Sequence, residues 1–89
     1  MRALVTVTGQ DRVGIIASVC NLLAERNINI LDINQTIMQN IFTMVMLVDV
    51  SNSDIEFSAL ADKLSELGEE MGVEIRIQHE DIFNSMHRI

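Results

Sequence analysis

Apolar and polar residues follow two different periods along this chain, and together these periods predict six elements. A β-branched or alternating pattern with a period of two is typical of strands, and one near 3.6 is typical of helices. The strand-like segments are residues 3–8, 28–38, 41–50 and 73–78, and the helix-like segments are residues 13–24 and 57–71. The predicted order is therefore β-α-β-β-α-β.

The ends of these elements carry recognisable signals. Asp11 is predicted to cap the first helix, and Ser53 with Glu56 has the S-x-x-E form of a capping box before the second. Gly68 and Gly72 lie at and just past the end of the second helix, where a left-handed conformation can end it. A tight turn is predicted at Gln39-Asn40, between the second and third strands.

Right-handed crossovers in both βαβ halves give an α+β, ferredoxin-like sandwich. It consists of a four-stranded antiparallel sheet with two helices on one face, and we expect residues 1–80 to form this single domain. Residues 81–89 form a tail whose apolar residues have helical spacing, namely Ile82, Phe83, Met86 and Ile89. The tail is too short to be a stable helix alone, so we expect it to dock on the domain or on a partner chain.

The third strand is apolar on both of its sides. Phe42, Met44, Met46, Val48 and Val50 lie on one side, and Val45 and Leu47 lie on the other. Leu31, Ile33 and Ile37 on the second strand add further apolar surface. Because both faces of the sheet should then be covered, we predict a homodimer or higher assembly joined through sheet edges or open faces. In the alternative, the tail folds back over the open face of its own sheet.

Composition excludes several classes of protein. The 89 residues carry a net charge of -7, with 6 Lys+Arg against 13 Asp+Glu, which gives no electrostatic footprint for nucleic acid. No apolar run is long enough for a membrane helix, and the N-terminus does not have the form of a signal peptide. The single cysteine, Cys20, excludes an intrachain disulfide. We therefore expect a folded cytoplasmic protein that needs no cofactor.

The loop from Gly9 to Ile15 is the strongest candidate for binding. It joins a strand to a helix N-terminus, where free amides and the helix dipole favour an anion such as a carboxylate. Arg12 could pair with that carboxylate and Asp11 with an ammonium group, which would suit a zwitterionic amino acid. A purely structural interpretation stays open here, in which Asp11 caps the helix, Arg12 is solvated and Gly14 permits close packing.

The same loop, the later run Asn27-Ile28-Asn29-Ile30-Leu31-Asp32 and the βαββαβ order resemble the ACT domain. ACT domains are small regulatory modules that bind amino acids. The whole chain is similar to stand-alone, single-ACT bacterial proteins related to regulators of the glycine cleavage system. The resemblance covers residues 1–80 and implies a module that senses an amino acid at a dimer interface and regulates metabolism or gene expression through a partner.

In that family the ligand lies between the loop after the first strand and the start of the second strand of a neighbour. The resemblance therefore implicates these residues: Gly9, Gln10, Asp11, Arg12, Val13, Gly14, Ile15 and Asn29. Two positions depart from the family pattern. Val13 stands where proline is frequent, and Gly9 stands where some amino-acid-binding members carry a polar side chain.

Other chemistry is weakly supported. His79 and His87, with Glu80 and Asp81, do not fix a metal site, because spacing supplies no firm third ligand. No nucleophile–base pair is visible, and the glycine-flanked signature of acylphosphatases is absent, so a small acylphosphatase-like enzyme is the least favoured alternative. A protein–protein interaction module without small-molecule sensing is the main alternative. An RNA-binding module would need surface aromatics and basic charge.

Overall fold

A computed structural model describes residues 1–10 and 12–81 of the chain. The elements are β1 (Arg2–Gln10), α1 (Ile15–Glu25), β2 (Asn29–Met38), β3 (Ile41–Asp49), α2 (Phe57–Met71) and β4 (Val73–His79). The four strands form one antiparallel sheet in the order β2-β3-β1-β4. This confirms the predicted ferredoxin-like βαββαβ fold.

The core lies between the sheet and the two helices. Alternate residues of the central strands point into it, because side chains in a strand alternate between faces. Val5 of β1 is opposite Met46 of β3, and both are fully buried. The helices close the core with the following buried residues: Ile15, Val19 and Leu23 from α1, and Leu60 and Leu64 from α2.

The observed N-cap positions of both helices differ from the predicted ones. The N-cap of α1 is Gly14, whose φ of 93° is left-handed and favours glycine, and no side chain caps it among the described residues. Asp11 itself lies outside the described residues. In α2 the N-cap is Glu56, and the Ser53 hydroxyl instead donates to the carbonyl of Ile55 at 2.9 Å. That bond closes a local turn before the helix, so Ser53 cannot reach the helix amides.

Two other terminal signals are confirmed. Gly72 caps the C-terminus of α2 at a φ of 72°, and its N–H donates to the carbonyl of Gly68. The turn between β2 and β3 has φ values of 50° at Gln39 and 71° at Asn40. Two successive positive φ angles match the right-handed twist of the flanking strands, so this two-residue turn fixes the register of the hairpin.

The two faces of the sheet differ in what covers them. The alternate residues Phe42, Met44, Met46 and Val48 of β3, and Val50 just after it, are buried on the side that faces the helices. On the other side, which we call the open face, Val45 and Leu47 are half-buried. Apart from Ile30, every residue of β2 is exposed, because this edge strand extends beyond α1.

The predicted tail, apart from Asp81, lies outside the described residues, so its predicted helical docking stays a prediction. Within residues 1–10 and 12–81, no helix is long and apolar enough to cross a membrane.

Candidate functional site

The loop that leads into α1 ends in a helix N-terminus that no described side chain caps, and we call it open in this sense. The first helical hydrogen bond runs from the Ser18 N–H to the Gly14 carbonyl at 2.9 Å. The amides of the first turn of α1 have no acceptor within the helix. Among the described residues, neither a capping side chain nor an acidic residue lies in this turn. This end of α1 therefore presents N–H groups and the positive end of the helix dipole to whatever lies beside it.

Arg12 is exposed, but it is held. Its Nη1 donates to the carbonyl oxygen of Met71 at 2.8 Å. Met71 is the last residue of α2, where the final carbonyls lack partners within the helix and carry partial negative charge. Arg12 therefore ties the loop to the C-terminus of α2. A ligand carboxylate would have to compete with this carbonyl for the guanidinium.

A cavity of about 250 Å³ lies between this loop, the first turn of α1 and the far end of β2. It is lined by Arg12, Gly14, Ile15, Ile16, Ala17, Gln35, Ile37 and Phe42. The lining combines the open amides and one cation with apolar side chains and one amide. Such a mixture of mostly apolar walls and a few polar groups is what small-molecule sites use, and the volume suits a small ligand.

Three of the eight predicted site residues line this cavity, namely Arg12, Gly14 and Ile15. Gln10 is exposed at the end of β1, and Val13 is 98% exposed at the tip of the loop. Gly9 has a structural reason to be glycine, because a Cβ there would lie 2.7 Å from Cγ1 of Val73 on β4. A polar ligand-binding side chain at Gly9 would have to displace that neighbour.

Asn29, the remaining predicted site residue, is at the opposite end of β2. It pairs with Asp49, whereas Ile37, which lines the cavity, pairs with Phe42. Eight residues of strand separate Asn29 from Ile37, which corresponds to about 26 Å. Within one chain, the structure therefore does not bring Asn29 together with the loop.

The two edges of the sheet are chemically different. The outer edge of β4 carries the exposed ion pair of Glu74 and Arg76, with Nε and Oε1 2.7 Å apart, and α2 packs against this strand. β2 is longer, has a single charged residue, Asp32, and exposes Ile33 and Ile37 by 41% and 57%. Charged, short edges resist strand pairing. β2 is therefore the edge better suited to join another strand.

A larger hollow of about 430 Å³ lies between the end of α2 and β4. Its charged lining residues are Glu69, Glu74 and Arg76, and Arg76 already binds Glu74. The net lining charge is negative, so the hollow does not favour a carboxylate. The smaller cavity beside α1 is the better candidate for an anionic ligand.

No group of three potential metal-ligating side chains occurs within residues 1–10 and 12–81. His79 stacks on the ring of Phe57 instead, with ring centroids 4.0 Å apart and planes 17° apart. His87, the other histidine of the sequence, is outside the described residues.

Comparison with known proteins places the chain in a family. The model of the ACT domain matches residues 2–78, and the chain belongs to this family. A UPF0237 protein of Methanocaldococcus jannaschii is 57% identical over 88 residues, covering 99% of this chain and 98% of that one. Relatives occur in archaea as well as bacteria, so the expectation of a bacterial group was too narrow.

Comparison with solved structures also places the chain among ACT domain proteins. An ACT domain protein from Streptococcus pneumoniae superposes with a TM-score of 0.82 at 38% identity, covering 93% of both chains. A protein assigned as a transcriptional repressor of the glycine cleavage system has a TM-score of 0.73 at 25% identity. That likeness covers 86% of this chain and 44% of the other. The predicted relationship to the ACT family and to such regulators is confirmed.

Sequence reasoning missed the wall of the cavity that β2 and β3 supply, namely Gln35, Ile37 and Phe42. The alternation of side chains along the two strands places Ile37 and Phe42 on the same side of the hairpin. It does not show that α1 leaves the end of β2 uncovered.

Proposed function

We propose that this chain is a regulatory module that binds a small amino acid at an interface between two copies and acts on metabolism or gene expression through a partner protein. The observation that carries the proposal is the cavity between the open N-terminus of α1 and the exposed end of β2. Membership of a regulatory, ligand-binding family supports the same function.

The cavity lining suits the two ends of such a ligand. The amides at the start of α1, with Arg12 nearby, favour a carboxylate. Ile16, Ile37 and Phe42 offer an apolar wall for a side chain, and the carboxamide of Gln35 can accept a hydrogen bond from an ammonium group. Asp11, next to the described part of the loop, is a further candidate partner for that ammonium group.

The exposed edge of β2 supports a paired arrangement. If two copies join antiparallel along β2, the start of each strand lies beside the end of the other. Asn29 of the second copy then approaches Ile37 and the loop of the first. Pairing would thus bring together the site residues that one chain keeps about 26 Å apart.

The charge distribution favours approach at this end of the molecule. The chain has a net charge of -7, so two copies repel each other wherever acids meet. Between Arg12 and Ala17, and between Ile33 and Phe42, the sequence contains no Asp or Glu. The same segments include exposed apolar residues, namely Val13, Ile16, Ile33, Ile37, Met38 and Ile41.

The first experiment is a thermal-shift screen of the full chain with the twenty amino acids. A ligand at 100 times its dissociation constant adds about 2.7 kcal/mol, which for a domain of this size raises Tm by roughly 10 °C or more. No shift with any amino acid at millimolar concentration would contradict sensing. A dimer without such a shift would favour the interaction-module alternative.

A mixing experiment tests the shared site. Ile16→Glu places a carboxylate in the cavity, and Asn29→Ala removes the amide contributed by the second copy. We expect each variant alone to lose the ligand-dependent shift, and an equimolar mixture of the two to regain part of it, because each mixed dimer holds one intact site. Asn21→Ala, an exposed change on α1, is the matched control. No regain in the mixture would refute a site built from two chains.

A further inference from the structure

The open face of the sheet has a small aliphatic centre on its two middle strands. Leu4 of β1 is directly opposite Leu47 of β3, and Thr6 is opposite Val45 in the next row. Polar residues flank this centre, with Gln78 beside Leu4 on β4 and Asp32 beside Leu47 on β2. Both helices pack on the other face, so no described element lies over the aliphatic centre.

The described chain ends at one corner of this face. Alternation along β1 places Arg2 on the same side as Leu4. The guanidinium of Arg2 binds the carboxylate of Glu80, with Nε donating to Oε1 at 3.2 Å and a second contact from Nη2. This ion pair holds the residues after β4 beside the row of Leu4 and Leu47.

The remaining chain, residues 82–89, has the length and composition to cover that centre. Leu4 lies one strand spacing from β4 and Leu47 lies two, or about 5 and 10 Å. Eight residues span about 12 Å as a helix and about 26 Å when extended, so either conformation reaches both. Four of the eight residues are large and apolar. The segment contains no acid and includes Arg88, whose charge complements the exposed Asp32.

The limits of the similarities separate this segment from the common fold. The ACT domain match ends at residue 78. The match to the Methanocaldococcus protein covers 99% of the chain and therefore continues into the segment. Residues 82–89 thus lie beyond the common ACT unit but within the length shared with the UPF0237 relative.

We propose that residues 82–89 dock on the open face of their own sheet, with their apolar side chains over Leu4, Val45 and Leu47. The inference goes beyond the proposed function and does not depend on it, because the proposed ligand cavity lies on the helix side of the sheet. An occupied open face leaves β2 as the free surface for assembly.

A spin label tests the placement directly. The full chain with Cys20→Ala and Ser85→Cys is labelled at the new thiol, and methyl signals are recorded by NMR. We expect strong broadening of the methyl signals of Leu4, Val45 and Leu47. A label at Ser58→Cys, exposed on α2 on the other side of the sheet, is the control and should leave these three residues sharp.

Mixed samples separate a chain's own tail from that of another copy. Chains that carry the spin label but no isotope label are mixed with isotope-labelled chains that carry no spin label. Sharp Leu4 and Leu47 signals in the mixture support docking within one chain. Broadening of these signals in the mixture would place the tail on a second copy and overturn the proposal, as would the absence of broadening in both samples.

Stability measurements give a second, independent test. Phe83→Ala and Leu47→Ala each remove one side of the proposed contact. We expect the fall in Tm of the double variant to be clearly smaller than the sum of the two single falls, since contacting residues couple. Phe83→Ala combined with Ile37→Ala, on the opposite side of the sheet, should be additive. Additive falls for Phe83 and Leu47 would overturn the contact.

Discussion

Replacing Gly9 by alanine distinguishes a structural glycine from a ligand-binding position. Gly9 lies between Phe42 on β3 and Val73 on β4. The added Cβ would lie 2.7 Å from Cγ1 of Val73 and 3.0 Å from both its Cα and its Cβ. Rotating the valine side chain can move Cγ1, but the other two atoms move only if the strand backbone shifts.

Two effects of opposite sign determine how much Gly9→Ala changes the free energy of unfolding. Overpacking of a filled site costs typically 1–3 kcal/mol. Alanine also restricts the unfolded chain, which recovers roughly 0.4–1 kcal/mol where its native conformation is unstrained. The clash with backbone-anchored atoms is the larger effect, so we expect Gly9→Ala to lower the free energy of unfolding by about 1–2 kcal/mol. For a domain of this size, that corresponds to a fall in Tm of roughly 4–16 °C.

Urea denaturation followed by circular dichroism measures this change, with the slope m checked for constancy. Thr8→Ala, an exposed change on the same strand, is the control and should alter stability by less than about 0.5 kcal/mol. Val73→Ala should cost less in the Gly9→Ala background than alone, because it removes the nearest clashing atom. A Gly9→Ala protein as stable as the parent would refute the reasoning.

Three further predictions follow from single contacts. Gly68→Ala should lower the free energy of unfolding by about 1 kcal/mol or more in urea denaturation, because the added Cβ would lie 2.6 Å from the carbonyl oxygen of Val73. This clash outweighs the better helix propensity of alanine. A gain in stability would contradict the prediction. Arg12→Ala should lose about 0.5–1.5 kcal/mol in the same assay through its bond to Met71, and equal stability would show that the bond contributes nothing. The pKa of Asp49 is lowered to about 2, and hydrogen bonds from Ser51 are the largest cause. The ionised Asp49 carboxylate therefore stabilises the fold above its unfolded pKa of about 3.9, and this stabilisation is lost as the pH falls towards 2. Asp49→Asn should therefore lower Tm at pH 6 but not near pH 2, and a constant difference would exclude this linkage.

The element order and the core could be predicted from sequence because burial imposes a period that the residues must follow. Met44, Met46 and Val48 alternate with half-exposed neighbours, and such a period of two is interpreted as a strand. The helix starts were less predictable. A capping side chain is a local signal, but Gly14 caps α1 through a backbone angle, and sequence spacing does not reveal whether glycine or aspartate takes that position.

The candidate site was predictable on one side only. The loop before α1 has a local signature of glycines and charges, whereas Gln35 and Ile37 enter the cavity through the tertiary placement of an edge strand. How far α1 covers β2 depends on the packing of the whole sandwich. Asn29 adds a further difficulty, because it would reach the loop only through the second chain of the proposed dimer.

The difference between the two sheet edges has a consequence for the size of assemblies. A sheet that other strands can extend at both edges adds copies without limit and forms a fibre, as open heterologous contacts do. Here one edge carries the Glu74–Arg76 ion pair, and only the other presents apolar residues. Antiparallel pairing along that single edge places a two-fold axis between the chains and uses it on both at once. If the chains pair as proposed, growth stops at two, and a small acidic protein with an exposed strand pairs without becoming a seed for aggregation.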